Sequence, residues 1–118
     1  MTGDDARTLA VAAARIAEED NCSDIAVLDL RGISPVADYF VIATGTSDRQ
    51  MRTVADDVAK HGRSVGHKVW KVAGRDSSEW IVMDFVDLVI HLFDAEHRAY
   101  YDLELIWGEA PKVDWRRD

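Results

Sequence analysis

Cysteine is nearly absent from this chain: Cys22 stands alone among 118 residues. A single thiol makes neither a disulfide framework nor a paired-cysteine metal knuckle, and a reducing cytosol is the compartment that suits it. No internal repeat or low-complexity stretch is present. No apolar run approaches the roughly 20 residues a membrane helix needs, so no membrane partner is expected. The opening Met1-Thr2-Gly3-Asp4-Asp5 is acidic and lacks the basic-then-apolar layout of a signal peptide. Basic charge is also scarce, with 14 Lys and Arg against 22 Asp and Glu and a net charge of −8. Phosphates would repel such a surface, which excludes a protein lying wholly on nucleic acid.

What is present is enough apolar material for a core, 47% of residues. At this length one domain is expected, over residues 1–110. Residues 111–118 read as a C-terminal tail, because Pro111 and basic residues follow a helix stop at Gly108. The charges are unevenly spread. From Arg49 to Arg75, seven basic residues (Arg49, Arg52, Lys60, Arg63, Lys68, Lys71 and Arg75) meet only Asp56 and Asp57. From Asp76 to Glu109 nine acidic residues face Arg98 alone. Such a split offers an acidic face to a basic partner and a basic edge to RNA.

Ala6, Leu9, Ala10, Ala13, Ile16 and Ala17 repeat at helical spacing and predict an amphipathic helix ending near Asp20. Ile25 to Leu30 predicts a strand. Tyr39 to Thr44, nearly all apolar or β-branched, predicts a second strand covered on both faces. Gly45-Thr46-Ser47 breaks it, Ser47 caps a helix that buries Met51, Val54, Ala55 and Val58, and that helix stops around Gly62. Strands follow over His67–Val72, Glu79–Phe85 and Leu88–Phe93, the last two as a hairpin. Asp94 caps a final helix through Trp107, with Ala95, Ala99, Leu103 and Ile106 on one stripe. The order α-β-β-α-β-β-β-α predicts an α/β fold: a mixed sheet of about five strands with flanking helices.

Catalytic signals are weak. Gly45-Thr46-Ser47 before a helix suits an anion, yet it lacks the spacing of a P-loop or a dinucleotide fingerprint. Asp84 and Asp87 bracket the hairpin turn, three apart. Two-metal chemistry wants carboxylates on one strand face, so turn aspartates bonding backbone N–H groups are the simpler reading. His61, His67, His91 and His97 have no metal-ligand spacing. No metal and no cofactor are expected, and catalysis is not. The aromatics say more. Trp80, Val82 and Asp84 share one face of their strand, with Ile81, Met83 and Phe85 on the other. Two apolar faces mean a central strand or a patch that a partner covers.

Several stretches together resemble the Iojap-like ribosomal silencing factor family. They are Asp24-Ile-Ala-Val-Leu-Asp29-Leu30, Ala37-Asp38-Tyr39-Phe40-Val41-Ile42 running on to Gln50, Trp80-Ile-Val-Met-Asp84, Val89-Ile-His91-Leu-Phe93, and Arg98-x-x-Tyr101-x-Leu103-Glu104-x-x-Trp107. They span about Asp24 to Trp107. The resemblance implies a fold like that of nucleotidyltransferases without their active site. It implies docking on a large-subunit ribosomal protein at the intersubunit face, so that the small subunit cannot join, and self-pairing when free. Two positions depart from the family pattern. Ala73-Gly74 stands where the family has Glu-Gly, and Val86 where it has glycine in the hairpin turn. Valine resists φ > 0, so a turn of different type is expected here.

The docking face is expected on the fourth and fifth strands and the flank of the last helix. Trp80 and Val82 form its centre, Asp84 and Asp87 a charged rim, and Tyr100 lies alongside. Marginal contact with ribosomal RNA is left to the basic segment. Two readings compete with this one: a metal-dependent nucleotidyltransferase or nucleotide-binding enzyme, and Trp80 as a core residue.

Overall fold

Alanine lets the first helix lie close to the sheet. In the computed structural model, which describes residues 1–76, 79–100 and 108–116, α1 spans Gly3–Glu19 and buries Ala6, Leu9, Ala10, Ala13, Ala14 and Ala17. Thr2 and Asp5 form a reciprocal capping box at its start. At its end Asn21 takes φ +70°, and Cys22 N–H donates to the Ala17 carbonyl at 2.9 Å. This is a left-handed helix stop in a residue that tolerates it.

Strand β1 (Ser23–Asp29) and strand β2 (Tyr39–Gly45) follow, then helix α2 (Asp48–Ser64). Strands β3 (Lys71–Ala73), β4 (Trp80–Asp84) and β5 (Leu88–Asp94) and helix α3 (Ala95–Tyr100) complete the described elements. The sheet order is β1-β2-β5-β4-β3, with β2 and β5 parallel and the other pairs antiparallel. The two central strands are buried almost throughout, as their unbroken apolar sequences require. The α/β class, the mixed five-stranded sheet and the element order all match the expectation.

Both long helices cover one face. There Ala10 and Ala13 of α1 and Met51 and Val54 of α2 pack on Val41, Ile81, Met83, Ile90 and Leu92. The opposite face carries Ala26, Leu28, Phe40, Ile42, Val89 and Phe93, with Trp80 and Val82 packed at its margin.

Four expectations need correction. Strand β1 begins at Ser23, through an irregularity at Asp24 (φ +48°), and releases Leu30 to a turn closed by Ile33 N–H on the Leu30 carbonyl. Helix α2 ends at Ser64, two residues beyond the stop expected around Gly62, and Gly62 sits against the His67 carbonyl and Phe85 where a Cβ would collide. Strand β3 is only three residues long. His67 is held back by its N–H on the Gly62 carbonyl, and the ladder to β4 starts with Trp70 N–H on the Asp84 carbonyl.

The stretch from Pro111 is no free tail. The Pro111 carbonyl accepts from Asp29 N–H, Val113 N–H donates to Val27, and Val113 and Trp115 are buried. The open edge of β1 supplies those hydrogen bonds, and Arg15 Nε holds the Trp115 carbonyl at 2.8 Å. The predicted continuation of the last helix, with Tyr101, Leu103, Ile106 and Trp107, lies outside the described residues.

Candidate functional site

Strand β4 alternates as its sequence dictates. Ile81 and Met83 are buried toward the helices, while Trp80, Val82 and Asp84 are half-buried on the other face. Register then decides what stands beside them. Trp80 opposes Phe93, Val82 opposes His91, and Asp84 opposes Val89. The Trp80 and Phe93 rings stack at 4.9 Å, and Phe40 meets His91 edge-on at 4.7 Å. These aromatics form a continuous packed layer across β4, β5 and β2, in which Phe40, His91 and Phe93 are buried and Trp80 lies at the margin.

One polar contact is built into that layer. The Trp80 indole Nε1–H donates to His91 Nδ1 at 3.1 Å. Burial pushes the His91 pKa down to about 4, so the ring is neutral. Because Nδ1 accepts, the proton sits on Nε2, which is buried with no hydrogen-bond partner among the described residues. The role of His91 was not evident from the sequence. Its signal was the alternation Val89-His91-Phe93 on the strand that pairs with β4.

At the hairpin the two aspartates do different work. Asp84 Oδ1 accepts from Val86 N–H at 2.7 Å, the turn role expected for it. Asp87 contributes its carbonyl, which accepts from Asp38 and Tyr39 N–H. Between them Val86 takes φ +76°, and Asp87 N–H donates to the Phe85 carbonyl at 3.1 Å. A bond from i+2 to i around a positive-φ centre is a γ-turn of the strained hand. The expectation that valine would avoid a glycine-like conformation here is therefore overturned. The Asp84 carboxylate on the Val86 amide and the ladder bond from Phe85 N–H to Leu88, 2.8 Å, hold it there. The Val86 side chain is 58% exposed. Trp80, Val82 and Asp84 are thus brought onto one face, with Asp87 at its hairpin end. Tyr100 ends α3 as described, and its side chain lies outside the description.

The other candidates resolve into structural roles. The amides after β2 are consumed locally: Thr46 N–H donates to Gln50 Oε1 at 2.5 Å and Gln50 N–H to Ser47 Oγ at 3.0 Å. Asp94 caps α3 through His97 N–H at 2.7 Å and also meets the His97 ring, which raises the imidazole pKa. Arg98 ties α3 to the sheet through the Asp24 carbonyl and Thr44 Oγ1. Burial raises the Cys22 thiol to about 11, far from a reactive thiolate. Among the described residues no group of three His, Cys, Asp or Glu could hold a metal ion, and no helix is long and apolar enough to cross a membrane.

Comparison with known proteins adds to this geometry. Residues 3–118 match the family model described as ribosomal silencing factor during starvation. Ribosomal silencing factor RsfS of Bacillus subtilis is 40% identical over 102 residues, covering 86% of each chain. A mouse protein named for mitochondrial assembly of the ribosomal large subunit is 34% identical over 92 residues, 75% of this chain and 40% of the mouse protein. Among solved structures, a crystal structure of a protein from Chromobacterium violaceum superposes with a TM-score of 0.81 at 29% identity. It covers 100% of this chain and 95% of that one.

Proposed function

This chain belongs to the ribosomal silencing factor family, and on that footing we propose that it represses translation by docking on the large ribosomal subunit. The contact is with a ribosomal protein at the intersubunit face, and the bound chain bars the small subunit by its bulk. Such a mechanism needs shape and affinity, with no reacting group and no cofactor.

One observation carries the reading. A tryptophan and a valine lie half-buried side by side on a sheet face rimmed by acidic side chains. A tryptophan in that state has apolar area left to bury and a fixed orientation in which to present it. Both are properties of interface anchors. Ribosomal proteins are mostly basic, so Asp84 and Asp87 on the rim favour encounter and orientation more than final affinity. Tyr100 is assigned to the same face from its place at the end of α3.

The test is co-sedimentation with purified large subunits together with a subunit-joining assay. Val82→Asp puts a charge at the centre of the face, opposite His91, so its fold is verified by circular dichroism before binding is measured. It is expected to lower affinity by roughly thirtyfold or more, the scale of a 2 kcal/mol centre contact. Asp87→Lys weakens binding less, and mainly at low salt. A folded Val82→Asp protein that still pellets with large subunits and still blocks joining would remove this face from consideration.

A further inference from the structure

The other edge of the sheet carries a feature that the docking face does not use. All three residues of β3 are exposed, and Trp70 immediately before it is 69% exposed. Among the described residues the Trp70 side chain has no hydrogen bond and no ring partner, although its N–H is fixed on the Asp84 carbonyl at 2.9 Å. A single exposed apolar side chain is ordinary, but Trp70 is the most exposed large hydrophobic among the described residues and is set among cations. Lys68 and Lys71 flank it in sequence and are exposed, as are Lys60 and Arg63 at the end of α2, the helix that leads into this edge. None of these four cations forms an ion pair among the described residues.

We propose that this edge is an RNA-contact strip: Trp70 stacks on an unpaired base of ribosomal RNA while Lys68 and Lys71 neutralise the adjoining phosphates. Aromatic platforms set among cations are the usual recipe for single-stranded RNA, because every base has a π-face and every link a phosphate. The inference rests on the large-subunit reading above and adds a second, chemically distinct contact to it. Lys71 opposes Asp84 and Ala73 opposes Val82 in register, so β3 borders the docking face, with Lys71 on the same side as Asp84 and Trp70 one position before it at the edge.

A second copy of the chain fits the edge less well. β3 is only three residues long and begins with a lysine, and both features discourage edge-to-edge pairing. An acidic protein segment would satisfy the lysines but gives the exposed indole no stacking partner. The net charge of −8 limits RNA affinity in isolation, so the strip acts only where the docking face already holds the chain.

The experiment compares the full-length wild type with Trp70→Ala and with Lys68→Glu/Lys71→Glu, each checked for an unchanged Tm. Affinity for purified large subunits is measured across a salt series, and protein–subunit complexes are photocrosslinked. Trp70→Ala is expected to bind about tenfold more weakly, and the double variant to flatten the plot of log affinity against log salt by about 1.5. The wild-type peptide holding Trp70 should carry crosslinked nucleotide. Variants that match the wild type in affinity and slope overturn the strip and leave the docking face standing. So does a crosslink to protein in place of nucleotide, or a wild-type dimer that Trp70→Ala makes monomeric. A wild type that fails to bind large subunits at all overturns both.

Discussion

Trp80 and His91 are eleven residues apart and on adjacent antiparallel strands, and the indole Nε1–H of one meets Nδ1 of the other at 3.1 Å. The bond fixes the plane of the tryptophan against Phe93 and fixes the tautomer of the histidine. It joins the two readings of Trp80 as well: the residue is packed enough to be held and exposed enough to dock.

Trp80→Phe separates those roles. Phenylalanine keeps a ring over Phe93 but leaves the buried His91 Nδ1 without a donor. The expected loss is about 1–2 kcal/mol of unfolding free energy, measured by urea denaturation at neutral pH. Trp80→Ala also forfeits the stacking and should cost more, about 3 kcal/mol. Equal stability of wild type and Trp80→Phe would show that the bond contributes nothing in solution.

Acid should expose the buried imidazole. The His91 pKa falls on folding from 6.5 to about 4, so its neutral form is favoured in the native state. Its contribution is fully present above pH 6.5 and is lost as the pH drops toward 4. At roughly 1.4 kcal/mol per pKa unit the loss is on the order of 3 kcal/mol. His91→Gln keeps an acceptor for Trp80 and cannot titrate. Its unfolding free energy should fall less between pH 6.5 and 4.5 than that of the wild type. Parallel pH profiles for the two proteins would contradict the burial of a neutral ring.

Much of the fold was legible because its signals are local. β2 is apolar at nearly every position, and only a strand covered on both faces accepts that. β4 alternates, and its half-buried face emerged with the expected residues. Ser47 and Asp94 cap the helices they were expected to cap. The misses came from contacts made across the chain. Pro111 and the basic residues after it look like an ending, whereas Val113 and Trp115 are buried beside β1, whose edge needed hydrogen-bond partners. His91 carries no local sign of its bond to Trp80. Val86 obeys tertiary restraint over intrinsic preference. Tyr100 ends α3, and residues 101–107, on which the expected stripe of that helix rested, lie outside the described residues.

Val86 stores strain that can be released. At φ +76° its Cβ crowds the backbone, at a cost of roughly 1–2 kcal/mol that glycine does not bear. Val86→Gly also loosens the unfolded chain, which offsets part of the gain. The net expectation is a stabilisation of about 1 kcal/mol, read as a Tm higher by a few degrees. Val86→Ala keeps the Cβ and should gain little. If glycine lowered the Tm instead, the hairpin would have to adopt another turn in solution.

Asp20 gives the opposite pH signature to His91, from the junction of α1 and α2. Burial is the first reason its carboxyl is raised to about 6, and the Asp57 carboxylate beside it is the second. Asp20 Oδ2 is buried and has no donor facing it among the described residues, although the Asp20 carbonyl receives Gln50 Nε2–H at 2.8 Å. A shared proton is what would join the two carboxyl groups. Because the folded pKa lies above the ordinary 3.8, this site favours folding at low pH. That contribution is lost as the pH rises from about 4 through about 6. Asp20→Asn supplies a permanent donor and removes a charge. The variant should melt higher than wild type at pH 7.5, by roughly 5 °C, and its advantage should shrink to nothing near pH 4. Thermal melts at pH 4, 5.5 and 7.5 read this directly. A difference that stays constant across all three would mean that the two carboxylates do not share a proton, and that asparagine acts there only through its own packing.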